Sequence, residues 1–144
     1  MLLRQSATCL LLAGLLVLPA LTKAEDTPPA GIQLELNTAQ DTANACRLTF
    51  VAENSLGTSV EKAVFETVIF DVSGGVVLLS LFDFRDLPQG ALRVRQFDVP
   101  AKRCGEIGRV LINDAHTCSV SGADSDVCRT SLSANSRIDM ELIR

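Results

Sequence analysis

The sequence predicts an all-β domain: an antiparallel immunoglobulin-like sandwich of about seven to nine short strands, stapled by disulfides. Three observations carry this. From Ile32 onward, short runs of alternating apolar and polar residues recur roughly every 8–14 residues, with turn residues between them. No long segment shows helical periodicity. Four cysteines, Cys46, Cys104, Cys118 and Cys128, remain after an apolar leader that carries a fifth, Cys9. An even number in a small secreted chain argues for two structural disulfides. The same length and pattern also allow a small barrel.

The leader is set aside first. Arg4 supplies a positive start, Ala7–Leu21 an apolar run, and Thr22-Lys23-Ala24 a small-x-small cleavage site. Residues 1–24 therefore read as a secretory signal peptide, too short and wrongly flanked for a spanning helix. Cys9 does not follow the run as a lipoprotein cysteine would, and Arg4 has no twin for a twin-arginine signal. Cleavage leaves a single domain's worth of chain, expected in the periplasm or secreted, with no stable membrane insertion. Its 11 basic residues stand against 17 acids, a net charge near −6, once Arg4 and Lys23 are removed from the 13 basic residues of the whole chain. Such an acidic chain is a poor match for nucleic acid.

Residues 25–31 read as a proline-bearing flexible leader and 32–144 as the sandwich. Ile32, Leu34 and Leu36 alternate with Gln33 and Glu35 in the first strand, and a polar loop is expected over Asn37–Ala45. Cys46, Leu48 and Phe50 mark one face of the second strand. The stretch Val60–Phe84 is the most apolar, broken only by Asp71-Val72-Ser73-Gly74-Gly75, and reads as a hairpin. Its arms are apolar on both faces, which predicts a central pair within the sandwich. Val76–Phe82 is also the expected aggregation segment if left uncovered. A turn is expected over Arg85–Gly90. Ala91–Val99 then alternates Leu92 and Val94 with Arg93 and Arg95, a strand with the arginines on a wet face. Val110 and Ile112 mark a further strand, followed by a turn at Asp114–Thr117. Short strands are expected at Cys118–Val120 and Cys128–Leu132, and a final one over Ile138–Ile143.

Within that hairpin, Val-Ile-Phe-Asp followed by Gly-Gly, in Phe65–Gly75, resembles the strand–aromatic–Asp–turn–Gly hairpin of FxLYD-type modules, small β-sandwich domains of the bacterial envelope. Phe70-Asp71 matches the aromatic–Asp pair. The resemblance covers about a quarter of the chain after the leader. It implies an accessory envelope module and carries over no catalytic residue. The chain departs from the pattern in having no Tyr and four cysteines.

Proximity across the polar loop Ser119–Val127 favours pairing Cys118 with Cys128, which leaves Cys46 with Cys104. Pairing 104 with 118 and 46 with 128 stays open. His116 is the only histidine and no GxSxG places a nucleophile, so neither a His-rich metal site nor a serine triad is expected. No CxxC is present for thiol redox chemistry. Asp124-Ser125-Asp126 lacks the ligand series of a calcium loop. Asp83 and Asp86 are the carboxylates a glycosidase reading would use, in a chain with little room for a sugar cleft. No cofactor is expected, and without Trp or Tyr no sugar-stacking platform is either.

One functional hint remains. Arg93 and Arg95 lie about 7 Å apart on one strand face, and Arg103 and Arg109 follow on the next segment. This basic stripe suits an anionic envelope ligand or an acidic protein surface. It equally suits edge charges that block sheet-to-sheet pairing. The expected function is thus a non-enzymatic periplasmic binding or accessory domain that contacts another envelope protein, at the Arg93/Arg95 face or by strand addition at an edge. The alternative is a small secreted inhibitor of a hydrolase that presents the disulfide-pinned loop Ser119–Val127.

Overall fold

The computed structural model describes residues 30–144; the expected signal peptide and most of the leader lie outside them. The described chain forms nine strands, β1 (Ile32–Asp41), β2 (Ala45–Asn54), β3 (Val60–Asp71), β4 (Val76–Leu87), β5 (Leu92–Pro100), β6 (Ile107–Val120), β7 (Ala123–Asp124), β8 (Leu132–Ser136) and β9 (Glu141–Ile143). One helical turn, α1 (Val127–Thr130), precedes β8. The strands make two sheets packed face to face. The first has the order β5-β2-β1-β8. The second has the order β4-β3-β6-β7, with β9 also paired to β6. The sandwich is mixed rather than purely antiparallel, because β8 runs parallel to β1 and β9 parallel to β6. Both parallel strands come from the C-terminal segment, which crosses from one sheet to the other between them.

The two-residue period sorts each strand into an inner and an outer face. Ile32, Leu34 and Leu36 of β1 and Cys46, Leu48, Phe50 and Ala52 of β2 are fully buried. From the second sheet come Ala63, Phe65 and Ile69 of β3, Phe82, Phe84 and Leu87 of β4, and Val110 and Ile112 of β6. Phe50 stands at the centre, edge-to-face with Phe82, Phe84 and Phe97 at ring separations of 6.0, 5.6 and 5.8 Å. Phe65 meets Phe84 at 5.5 Å. Five of the chain's six phenylalanines thus share one cluster between the sheets.

Several strands run longer than expected. β1 continues to Asp41, β4 to Leu87, and β6 passes straight through Asp114–Thr117. The expected turn there is absent because β3 supplies a long partner, pairing Val64 with Thr117 and Ala63 with Cys118. Register shifts beside Glu66 and Val64 absorb the polar residues as bulges. Cys128 lies on α1 rather than on a returning strand, and the last strand is only Glu141–Ile143.

The hairpin also differs from expectation. β3 is central, flanked by β4 and β6, and Val64 and Val68 on its outer face are buried as well. β4 is an edge strand, with no strand on its other side among the described residues. The turn between them is held by Asp71, whose Oδ1 accepts hydrogen bonds from the Ser73 and Gly75 amides and the Ser73 hydroxyl. Gly108 is required beside it, since a Cβ there would lie 2.9 Å from the Asp71 carbonyl oxygen.

Two polar anchors hold the ends. Buried Asn54 donates to the carbonyls of Thr58 and Leu87 at 2.8 and 2.7 Å and accepts from the Leu56 amide at 2.9 Å. It ties the β2–β3 loop to the end of β4. Glu35 receives Arg137 at 2.9 and 3.3 Å and Asn37 at 2.8 Å, which fixes β1 to the segment after β8. The Arg137 hydrogen bonds, then that of Asn37, hold its carboxyl down to about 2 from 4.5.

Asn54→Ala should lower stability by about 2 kcal/mol, because it strands buried backbone groups; urea denaturation reads this. The folded-state value of Glu35 lies below the unfolded one. Its contribution is therefore complete above about pH 4.5 and is lost as pH falls toward 2. Glu35→Gln should flatten the acid limb of the stability curve over that window, as followed by thermal melts against pH.

Candidate functional site

The side of the sandwich where β4 and β5 face each other concentrates the unusual features. Both are sheet edges. Their inner faces meet through Phe82 and Phe97, stacked at 4.2 Å with planes 10° apart. On β5, Phe97 and Val99 are drawn inward, and Arg93 and Arg95 share their parity. The expected orientation of this strand is therefore inverted. Leu92 and Val94 face solvent, 62% and 57% exposed, while the Arg95 side chain is only 18% exposed.

Arg95 is used structurally. Its Nε donates to the Phe84 carbonyl at 2.7 Å, and one terminal nitrogen reaches the Asp86 carbonyl and Oδ1, both at 3.3 Å. Arg93 meets the other oxygen of Asp86 at 3.4 Å. The guanidinium of Arg95 thus caps two backbone carbonyls near the end of β4, and Asp86 neutralises both arginines. Arg103 lies elsewhere, 3.6 Å from Asp41 beside the Cys46–Cys104 disulfide. Arg109 is on the outer face of the second sheet, 2.7 Å from Glu141. The four arginines do not share a surface, and each has an acid partner.

The remaining candidates are dispersed. Disulfides join Cys46 to Cys104, across Cα atoms 4.8 Å apart, and Cys118 to Cys128, at 5.9 Å. His116 is exposed on β6. Asp83 accepts the Arg85 amide, and Asp86 is taken by the arginines. Among the described residues no three His, Cys, Asp or Glu side chains are placed to hold a metal ion, and no helix is long and apolar enough to cross a membrane.

What the arginine pattern missed is the edge itself. Over Val76–Asp83 no strand pairs with the free side of β4 among the described residues. Its outer face carries Leu79 and Leu81, 60% and 47% exposed. In register, Leu79, Val68, Leu111 and Ile143 form an apolar row across β4, β3, β6 and β9. A shallow groove of about 570 Å³ adjoins it, lined by Leu81, Asp83, Arg85, Val94 and Phe97 among others. Arg85 adopts a left-handed backbone, φ 60°, and its guanidinium is exposed and makes no ion pair among the described residues. The signal for this site was present in the sequence: VVLLSLF holds more apolar residues than one buried face can absorb.

No protein-family model, curated protein or solved structure matches the chain.

Arg95→Ala should lower stability by about 1–2 kcal/mol, since it frees two carbonyls packed under the arginine. Arg109→Ala, which removes an exposed ion pair, should change it by about 0.5 kcal/mol or less. Parallel denaturant titrations distinguish the two.

Proposed function

We propose that this protein is a non-enzymatic binding or accessory domain of the bacterial envelope, periplasmic or secreted, that contacts another envelope protein through the free edge of β4. The observation that carries the reading is an edge strand, unpaired on one side among the described residues, with Leu79 and Leu81 turned to solvent. Globular proteins normally blunt such edges with charges, proline or a covering segment. Over Val76–Asp83 the only charge is at the end, on Asp83, and there is no proline. An edge of this kind supplies a partner strand with backbone hydrogen bonds, and the alternating side chains supply selectivity. The two disulfides suit an oxidising compartment. The Arg93/Arg95 alternative has less support, because both arginines are occupied by Asp86 and by β4 backbone. The candidate acids and the histidine do not converge on one cleft, which favours binding over catalysis.

A photo-crosslinking residue at position 79 or 81, in cells that secrete the protein, should yield an adduct with a second envelope protein. The same probe at Thr49, on the outer face of the first sheet, should not. Leu81→Lys should remove the adduct formed from position 79. Equal adducts from 79 and 49, or an adduct untouched by Leu81→Lys, would contradict the reading.

A further inference from the structure

We infer that the β4 edge is occupied, in the protein alone, by the β4 edge of a second copy, so that an antiparallel twofold pair stores the contact surface. The inference rests on reading this edge as a contact surface and adds its resting occupant. Every molecule carries the same free edge, and antiparallel pairing about a twofold axis is self-consistent by construction. What decides between registers is the chemistry along the strand.

Arg95 caps the carbonyls of Phe84 and Asp86, so pairing is confined to the stretch before them. A twofold axis at Ser80 uses that stretch fully. It sets Leu79 of one copy opposite Leu81 of the other, twice, on the outer face. The apolar row Ile143–Leu111–Val68–Leu79 then continues into the second molecule instead of ending in water. On the inner face the axis sets Leu78 opposite Phe82.

Charge complementarity supports the same register. The axis brings Arg85, the unpaired cation of β4, opposite Gly75 of the other copy. Gly75 donates its amide to the Asp71 carboxylate at 2.9 Å. That carboxylate is held below the usual range, chiefly by its hydrogen bond from Ser73 and then by that of Gly75. It is therefore an anion at neutral pH; Lys102 acts on it through space, but no salt bridge among the described residues pairs it directly. Self-pairing thus places each free guanidinium beside an acidic turn, once at each end of the seam. Asp83 falls opposite Val77, at the rim where water reaches it.

The edge alone makes a small interface, so a Kd in the micromolar range is expected. Partner capture would then proceed by exchange with the second copy, and the amount of free edge would rise on dilution.

The test uses the secreted protein with its disulfides intact, by sedimentation from about 1 to about 200 μM, a range that brackets such a Kd. A monomer–dimer equilibrium is expected. Leu79→Lys with Leu81→Lys should leave a monomer whose melting temperature matches that of the native protein at the dilute end of the range, since both side chains are already exposed. Arg85→Glu should raise the Kd by about tenfold. Ser80→Cys should crosslink to its own copy under mild oxidation, because directly opposed residues on paired strands lie within disulfide range. Thr49→Cys should not crosslink. A monomer throughout the range overturns the inference, and so does a dimer indifferent to the Leu79/Leu81 change. A dimer in which Ser80→Cys fails to crosslink overturns the register. A monomer whose position 79 still crosslinks to a different protein refutes self-pairing and leaves the partner reading standing. A dimer with no such adduct does the reverse.

Discussion

The stacked rings of Phe82 and Phe97 are the contact on which the rest of the structure turns. They join the two edge strands, β4 and β5, on the side of the sandwich where neither has a neighbour in its own sheet among the described residues. Phe50 and Phe84 pack against them, so the edges are fixed by the centre of the core. Offset and edge-to-face aromatic pairs contribute beyond the area they bury. Here they also set the parity of both strands, because a strand has only two faces to offer.

Parity explains the arginines. Once Phe97 and Val99 are inside, Arg93 and Arg95 must lie on the same face. Each buries its stem along the end of the core and sends its charge to Asp86, with Arg95 also saturating the carbonyls of Phe84 and Asp86. That closes the far end of the β4 edge. Leu92 and Val94 are left in water as the complement of the same choice. On β4, burying Phe82 and Phe84 turns Leu79 and Leu81 outward, at the end of the edge that Arg95 does not reach. The apolar exposed edge is thus a consequence of how the core is closed, and the proposed contact surface follows from it.

Much of this was legible in the sequence where one face was clearly apolar. Ile32, Leu34 and Leu36, and Cys46, Leu48 and Phe50, alternate with polar residues and are buried as their spacing implies. The all-β sandwich follows from such runs. Two kinds of residue misled. Ala91–Val99 holds two apolar pairs of opposite parity, Leu92/Val94 and Phe97/Val99, and spacing alone does not rank them; the aromatic partner across the gap does. Val76–Phe82 is apolar on both faces, which suggests a strand covered on both faces, yet only its inner face is covered among the described residues. Read as central, it is an edge. The long strand β6 hid behind Asp114–Thr117, whose polar residues form bulges only because β3 is there to pair with them. The arginine pattern drew attention to charge, whereas the proposed contact surface lies in the apolar residues between the charges.

Amide hydrogen exchange along Val76–Asp83, followed against protein concentration, tests the central claim most directly. In dilute solution the amides on the free side of β4 should exchange orders of magnitude faster than those bonded to β3, and raising the concentration should protect them in an alternating pattern centred on Ser80. Uniform slow exchange of all these amides at every dilution would mean that the edge is already covered within the monomer, and would contradict the account.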